Sequence, residues 1–238
     1  MNSKSGETLR YIGIIALGYF ITALFGSVHR LFVFRYYGVS AFADMASAIG
    51  SDILSLGMAA FTGMPLLFAL FFPNSPTPRF FNNKWMYFAV AIPAALMYCI
   101  FSDVYSCSQM GVYIAVGIVP LLLFTSIKLA ETVTSKRLAV FVILVHGLIF
   151  TSIDIAASTL LRDTFPVVNV DDGVYAHIMS DGRSMYWSPC EIVEDENEIR
   201  LVISSGDTMV IKRLEAEDYW EEHNLSTQQV KVQKVVVQ

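Results

Sequence analysis

Long apolar segments dominate the first 160 residues of the chain. A helix needs about 20 apolar residues to cross the hydrocarbon core of a membrane, which is roughly 30 Å thick. The pattern therefore predicts an α-helical membrane bundle over residues 1–162. The apolar stretch Leu31–Gly50 is open to two interpretations, a loop or an additional membrane-embedded helix. About five transmembrane helices are expected, at Tyr11–Val28, Ile53–Phe72, Trp85–Ser102, Met110–Ile127 and Leu138–Leu161.

Short alternating segments replace the apolar runs from Gly173 onward. Hydrophobic and polar side chains alternate over Val174–Ile178, and the Asp-Gly pair at 181–182 is typical of a tight hairpin turn. The return strand is expected at Ser184–Ser188, where Pro189 ends it. The sequence thus predicts at least one antiparallel hairpin after the helices.

The remaining polar segments complete the predicted domain. Ile199–Ser204 and Thr208–Arg213 flank a turn and are expected to form a second hairpin, with one or two helical turns at Glu215–His223. Together these segments predict a small antiparallel β-meander domain of four or five strands over residues 163–223. Residues 224–238 alternate Val with Gln and Lys, which predicts a flexible tail or a strand added to a partner's sheet.

Charge divides the chain at the same boundary. The residues up to Arg162 have a net charge of +4 and those after it a net charge of −9, which makes −5 for the whole chain. An acidic domain does not bind nucleic acid, because phosphates require positive charge. We therefore expect membrane lipids around the helices and a protein of the cell envelope as the partner of the acidic domain.

The Lys and Arg residues of the connecting segments predict an orientation. The N-terminal tail and the second and fourth loops hold seven of them, whereas the other connecting segments hold three. Because Lys and Arg accumulate on the cytoplasmic side of membranes, the N-terminus is expected inside. With five crossings, the β domain then lies outside the cytoplasm, on a bacterial-type cytoplasmic (inner) membrane.

One carboxylate, Asp154, lies inside a predicted span. A carboxylate at the centre of a membrane helix costs about 3 kcal/mol and is usually paired or functional. Ser152 on the same helix is a candidate partner, and His146 lies about 12 Å earlier along the axis. These three residues are candidates for an intramembrane polar site. The alternative is that Asp154 is hydrated near the outer interface.

Four charged residues surround the connection between the first two spans: Arg30, Arg35, Asp44 and Asp52. The planar fork of an Arg side chain suits a phosphate group, so they are candidates for binding a lipid headgroup. The alternative is that they are hydrated charges that fix the depth of the helix ends.

No motif in the sequence indicates catalysis, a cofactor or a metal. The chain contains no glycine-rich phosphate loop, no HExxH and no cluster of metal-ligand spacing. We therefore expect no cofactor, and an enzyme is the less favoured class.

Cys107 and Cys190 fall on the same outer side in the predicted topology. They are candidates for a disulfide, which requires Cα atoms within about 7 Å.

The first half of the chain resembles a known family. Its residues 29–38 are HRLFVFRYYG, residues 48–55 are AIGSDILS, and residues 101–105 are FSDVY. Over about residues 10–130 the chain resembles the membrane domain of the lipoteichoic acid synthase and phosphoglycerol transferase family. The resemblance implies five spans and an extracytoplasmic domain. It carries over no catalytic residue, because the 76 residues after Arg162 are too few for the family's catalytic domain.

These features favour a non-enzymatic membrane protein with an accessory, regulatory or inhibitory role in envelope lipid or polymer assembly. It would act through protein–protein contacts of its extracytoplasmic β domain. Three alternatives stay open at this point. They are a small transporter or channel subunit with a polar site at Asp154, a module or enzyme that binds lipid headgroups, and a membrane immunity protein.

Overall fold

In the computed structural model, helices come first along the chain and strands follow. The structure describes residues 20–21, 23–39, 49–71, 84–102, 104–132, 135–170, 173–180, 184–195, 198–204, 208–212, 219–221 and 225–238. The helices in these ranges are α1 (20–36, apart from residue 22), α2 (Ile49–Phe71), α3 (Lys84–Phe101), the single turn α4 (Val104–Cys107), α5 (Gln109–Ala130) and α6 (Lys136–Ser158).

Two of the described helices are long and apolar enough to cross a membrane, over Gln109–Ala130 and Arg137–Ser158. The apolar parts of α2 and α3 are shorter, at Ile53–Ala69 and Tyr87–Phe101. The expectation of helices followed by a strand-rich domain is therefore confirmed. The first helix differs from its prediction, because it continues past Val28 to residue 36.

A glycine motif ends α1. Gly38 has φ of 68°, and its N–H donates to the carbonyl of Arg35 (3.4 Å), while the N–H of Val39 donates to the carbonyl of Phe34 (2.9 Å). This pair of bonds is the Schellman arrangement, which favours Gly at the position with positive φ. Residues 31–36 of the apolar stretch Leu31–Gly50 thus belong to α1, and 40–48 lie outside the described residues.

Helix α6 packs closely against its neighbours at glycines. A Cβ atom on Gly63 of α2 would lie 2.7 Å from Cγ1 of Ile143, and one on Gly147 would lie 2.7 Å from the ring of Phe25 on α1. Small residues permit this approach of helix backbones, which is how helices associate where no water drives them together. α6 therefore lies in contact with both α1 and α2.

The strands form one sheet with mostly antiparallel pairing. They are β1 (Thr164–Val170), β2 (Gly173–Ser180), β3 (Ser184–Asp195), β4 (Glu198–Ile203), β5 (Met209–Lys212), β6 (Thr227–Lys231) and β7 (Lys234–Val237). The strand order is β6-β1-β2-β3-β4-β7, and β5 pairs with β3. All pairs are antiparallel except β4 with β7, which is parallel.

The sheet closes on itself. Only Val232 and Gln233 separate β6 from β7, and these two strands occupy opposite ends of the strand order. Three residue steps reach at most about 10 Å, so the two edges of the sheet must lie side by side. β6 and β7 thus act as one bent strand that pairs with β1 and then with β4. The two ends of the strand order are thereby joined, and among the described strands β5, which pairs with β3 alone, is an edge strand.

The interior of the barrel includes residues of α1. Val33, Phe34, Tyr37 and Val39 belong to the same buried cluster as the inward side chains of the strands, such as Phe165. The hydroxyl of Tyr37 also donates to the carbonyl of Ser158 at the end of α6 (2.7 Å). The end of α1 therefore completes the core of the β domain, and the helices and the barrel share one packed boundary.

The predicted hairpins have different outcomes. The first is confirmed, since β2 and β3 pair antiparallel on either side of residues 181–183. The second is wrong, because β4 and β5 do not pair with each other but lie end to end along β3. Pro189 also does not end β3. It lies between the segment paired with β5 and the segment paired with β4, where its missing N–H removes no bond from either ladder.

One predicted boundary of the β domain is corrected. Residues 224–238, expected as a flexible tail or as a strand added to a partner's sheet, contain β6 and β7 of this chain's own sheet. The pattern of the segment explains this outcome, because Val230, Val232 and Val235 face the buried cluster while the intervening residues face outward.

Candidate functional site

The carboxylate of Asp154 joins three helices. Its side chain is 3% exposed on α6. The hydroxyl of Ser55 on α2 donates to Oδ2 (2.7 Å), and the hydroxyl of Tyr98 on α3 donates to Oδ1 (2.6 Å). Both carboxylate oxygens therefore accept hydrogen bonds from buried side chains, as an acceptor-only group requires.

A second polar contact lies on the same α2–α6 boundary. Nδ1 of His146 is 2.9 Å from the hydroxyl oxygen of Thr62. Thr62 follows Ser55 by seven residues and His146 precedes Asp154 by eight, so the two pairs lie about two helical turns apart. Ser152 does not join either pair: it is exposed, and its hydroxyl donates to the carbonyl of Leu148 (2.7 Å).

The four candidates for headgroup binding do not form one described site. Arg30 is 3% exposed, and its guanidinium carbon lies 5.6 Å from the ring centre of Tyr186 in the barrel. Arg35 is exposed and lies about 140° away around the axis of α1. Asp44 lies outside the described residues, and Asp52 is described only as a backbone position in α2. The two arginines therefore face different surroundings.

No disulfide joins Cys107 to Cys190 in the structure. Cys107 ends α4, while Cys190 is half-buried on β3. Burial raises the pKa of the Cys190 thiol to about 11, which keeps it protonated and unreactive at neutral pH.

The β2 strand contains a bulge next to the end of α6. His177 pairs with Trp187 and Met179 pairs with Tyr186, which leaves Ile178 as the extra residue. A bulge of this kind disrupts the ladder locally and leaves backbone groups to be satisfied by other partners.

Arg162 supplies those partners. Its Nη1 donates to the carbonyl of Ile178 (2.6 Å), its Nη2 to that of His177 (2.8 Å) and its Nε to that of Thr164 (3.2 Å). The guanidinium carbon also lies 4.2 Å from the ring centre of Phe165. Since Arg162 follows α6 by four residues, it fixes the bulge to the end of that helix.

A cavity of about 550 Å³ lies beside this bulge, between the helix ends and the barrel. No acidic side chain is among the described residues that line it. Its walls include His29, Cys107, Arg162, His177, Trp187 and Trp220.

The ring of His177 is neutral in this setting. Burial lowers the pKa of His177 to about 3, and the positive charge of Arg162 acts in the same direction, while the backbone of Met179 opposes them. Nε2 of the imidazole lies 2.8 Å from the hydroxyl of Ser180. The sequence did not identify this site. Its one local signal is Arg162, an isolated cation at the start of an acidic segment.

Tyr219 and Trp220 lie in the short helical segment 219–221. Both pack with a second buried cluster around Trp187, and the ring centres of Trp187 and Trp220 are 5.3 Å apart. Only 219–221 of the predicted helical turns at Glu215–His223 are described, and they are helical. The two aromatic side chains thus cover the barrel beside the cavity.

Among the described residues, no group of three or more His, Cys, Asp or Glu side chains could hold a metal ion.

Comparison with models of protein families, with curated proteins and with solved structures gives no match. The resemblance of residues 10–130 to the membrane domain of the lipoteichoic acid synthase family therefore stays a prediction, and the function is argued from the geometry of this chain.

The Asp154 cluster predicts a specific energetic coupling. Tyr98→Phe removes one donor, Asp154→Asn weakens the acceptor, and the double variant is expected to lose less stability than the sum of the two. The coupling should be about 0.5–2 kcal/mol, the range measured for polar pairs between membrane helices. Thermal unfolding of the detergent-purified protein measures it. Tyr113→Phe on the exposed face of α5 is the control, and additive losses would contradict a shared hydrogen bond.

His177 predicts a pH dependence of stability. In the unfolded chain its pKa is near 6.5, whereas in the folded protein it is about 3. Below pH 6.5 the unfolded state therefore binds a proton that the folded state does not, and stability falls by up to about 1.4 kcal/mol per pH unit. Unfolding measured at pH 7.5 and pH 5 should show this loss. The loss should shrink in His177→Gln, and an equal pH dependence in that variant would contradict the assignment.

Proposed function

We propose that this chain is a non-enzymatic accessory protein of a bacterial-type cytoplasmic membrane, anchored by about five helices and acting through protein contacts of its barrel. The distribution of exposed apolar side chains carries the proposal. Of the 27 large hydrophobic side chains that are exposed in the described residues, 25 lie between residues 20 and 160. Exposure of this many apolar side chains is unfavourable in water and favourable in lipid.

The exposed apolar side chains occur on every long helix rather than on two alone. Examples are Phe32 on α1 (57%), Ile53 on α2 (56%), Ile100 on α3 (56%), Tyr113 on α5 (69%) and Phe141 on α6 (61%). Each helix also contacts another helix through buried residues, as the bonds of Asp154 illustrate for three of them. Helices that are apolar both inside and outside are typical of a membrane bundle.

The positions of the helix ends support an extracytoplasmic barrel. The C-terminal ends of α1, α3 and α6 all border the barrel, through Tyr37, Ser102 and Ser158. The basic connections follow α2 and α5 and therefore lie at the other end of the bundle. Because basic loops stay in the cytoplasm, the barrel is expected on the opposite side.

The surface of the barrel supports a protein partner with a basic face. The chain after Arg162 has a net charge of −9, and Glu191, Glu194 and Asp195 are exposed along β3. Val210 and Val237 are the exposed large hydrophobic residues of the described barrel. Charged surfaces of this kind steer association and set specificity.

The orientation is tested by labelling with a membrane-impermeant maleimide in intact cells. In a background with alanine at Cys99, Cys107 and Cys190, we expect Gln228→Cys on β6 to be labelled at once. Thr132→Cys, in the connection between α5 and α6, should react only after permeabilisation. The opposite pattern would place the barrel in the cytoplasm and contradict the proposal.

The partner is tested by site-specific photo-crosslinking in cells. A photoreactive residue at Glu191 should capture one discrete protein, whereas the same residue at Tyr113 on the lipid-facing side of α5 should not. We expect Glu194→Lys to reduce the first crosslink severalfold, and Glu131→Lys, at the other end of the bundle, to leave it unchanged. A crosslink insensitive to Glu194→Lys would argue against an electrostatic protein contact.

A further inference from the structure

The cavity between the helix ends and the barrel is lined from both sides of the molecule. His29 on α1 and Cys107 on α4 line it from the helices, and Arg162, Trp187 and Trp220 line it from the barrel. Its volume of about 550 Å³ is in the range of cavities that bind small organic molecules. The cavity therefore lies at the boundary between the helices and the barrel, and residues of both parts form its walls.

Two residues that line the cavity each have a buried ring nitrogen with no hydrogen-bond partner. The two nitrogens are Nε2 of His29, whose side chain is 7% exposed, and Nε1 of Trp187, whose side chain is 1% exposed. A buried polar group left without a partner costs about 1–3 kcal/mol, so such groups are uncommon away from binding sites. The indole N–H is a donor only, and it therefore requires an acceptor from outside the described chain.

The guanidinium of Arg162 is a buried charge without a carboxylate. It is 6% exposed, and its hydrogen bonds go to three backbone carbonyls. No described acidic residue forms an ion pair with it. A guanidinium has five N–H donors; three bind these carbonyls and a fourth interacts with the hydroxyl of Tyr37, which leaves one. A buried charge is strongly unfavourable unless an opposite charge accompanies it.

The charge of the cavity is opposite to that of its surroundings. The chain after Arg162 has a net charge of −9, yet no described Asp or Glu lines the cavity and Arg162 is its one charged lining residue. The one charge on the described cavity wall is therefore positive, which favours an anion over a cation. The edge-to-face pair of Trp187 and Trp220 adds an apolar wall next to the charge.

We propose that this cavity binds the phosphate group of a small ligand, held by the charge of Arg162 and by the N–H of Trp187. A phosphate has several acceptor oxygens that point in different directions, so the guanidinium of Arg162 and the indole N–H of Trp187 can donate to different oxygens. The remaining volume accommodates an organic substituent against the two indole rings. A lipid headgroup and a soluble phosphate ester share this chemistry. The proposal does not depend on the accessory function above.

Intrinsic fluorescence reports the binding. The chain has three tryptophans, and in Trp85→Phe both remaining indoles line the cavity. The full-length variant in a neutral detergent is titrated with glycerol 3-phosphate, with dihexanoyl phosphatidic acid, and with glycerol as the matched uncharged probe. We expect a saturable change with a phosphate-bearing probe and none with glycerol. Saturation with the ester identifies a soluble ligand, and saturation with the lipid alone identifies a headgroup. No saturation with either probe, or an equal response to glycerol, overturns the proposal.

A matched pair of tryptophan variants locates the binding. Trp187→Phe removes the unpartnered N–H but keeps an aromatic ring, and Trp220→Phe makes the same change on the neighbouring wall. With the thermal shift induced by the probe as the readout, Trp187→Phe should weaken binding about tenfold or more, while Trp220→Phe changes it little. A folded Trp187→Phe protein with unchanged affinity overturns the proposal. Arg162→Gln should abolish the thermal shift induced by the probe. If the Arg162→Gln protein does not fold, the result for Trp187→Phe decides whether the proposal holds.

Discussion

The buried carboxylate of Asp154 is the constraint on which the arrangement of the helices depends. Its burial is unfavourable unless both oxygens are bound, so Ser55 and Tyr98 must reach it from α2 and α3. These two bonds fix the rotation of α6 about its axis, because a rotation of even one residue would move the carboxylate away from both donors. The direction in which the chain leaves α6 is fixed by the same bonds. Arg162 lies four residues beyond that end and fixes the bulge of β2 in turn. A polar contact within the helices thereby determines where the barrel lies.

The barrel depends on the helices for its core as well as for its position. A domain of about 60–75 residues buries a smaller fraction of its surface than a large domain does, and it is marginally stable alone. Here the end of α1 adds Val33, Phe34 and Tyr37 to the barrel's interior, and the glycine motif at Gly38 directs Val39 into the same cluster. The ring of Phe34 meets that of Tyr186 edge to face, with the centres 5.0 Å apart. Because these residues pack against the strands, separation of helix α1 from the barrel would expose apolar side chains of both parts.

Local patterns in the sequence predicted the local structure, and contacts between distant residues account for the rest. The apolar segments predicted the helices, and the Asp-Gly pair predicted the β2–β3 hairpin, because periodicity and turn chemistry act over a few residues. The prediction of the second hairpin was wrong because β5 pairs with β3, and the turn residues in the sequence at 205–207 do not determine which strand β5 joins. Closure by β6 and β7 depends on β1 and β4, both far away in sequence. Asp154 was visible as an unusual residue, but its partners Ser55 and Tyr98 are 99 and 56 positions away.

Two of the buried charged side chains in the described chain, Asp154 and Arg162, differ in how completely the protein satisfies them. Asp154 has a hydroxyl donor on each oxygen and lines none of the cavity beside the barrel, so its bonds are complete within the protein. Arg162 binds backbone carbonyls and interacts with the hydroxyl of Tyr37 and the ring of Phe165, none of which carries an opposite charge. It lies in the cavity wall with Trp187, whose N–H has no partner. A satisfied buried group needs nothing further and stabilises the fold. A buried polar group that lacks partners is unfavourable by itself and is kept in place by the rest of the structure. A ligand that binds such a group stabilises it more than it would stabilise a satisfied group. Asp154, which was the unusual polar residue in the sequence, therefore supports the fold. Arg162, which the sequence did not single out, points to a binding site.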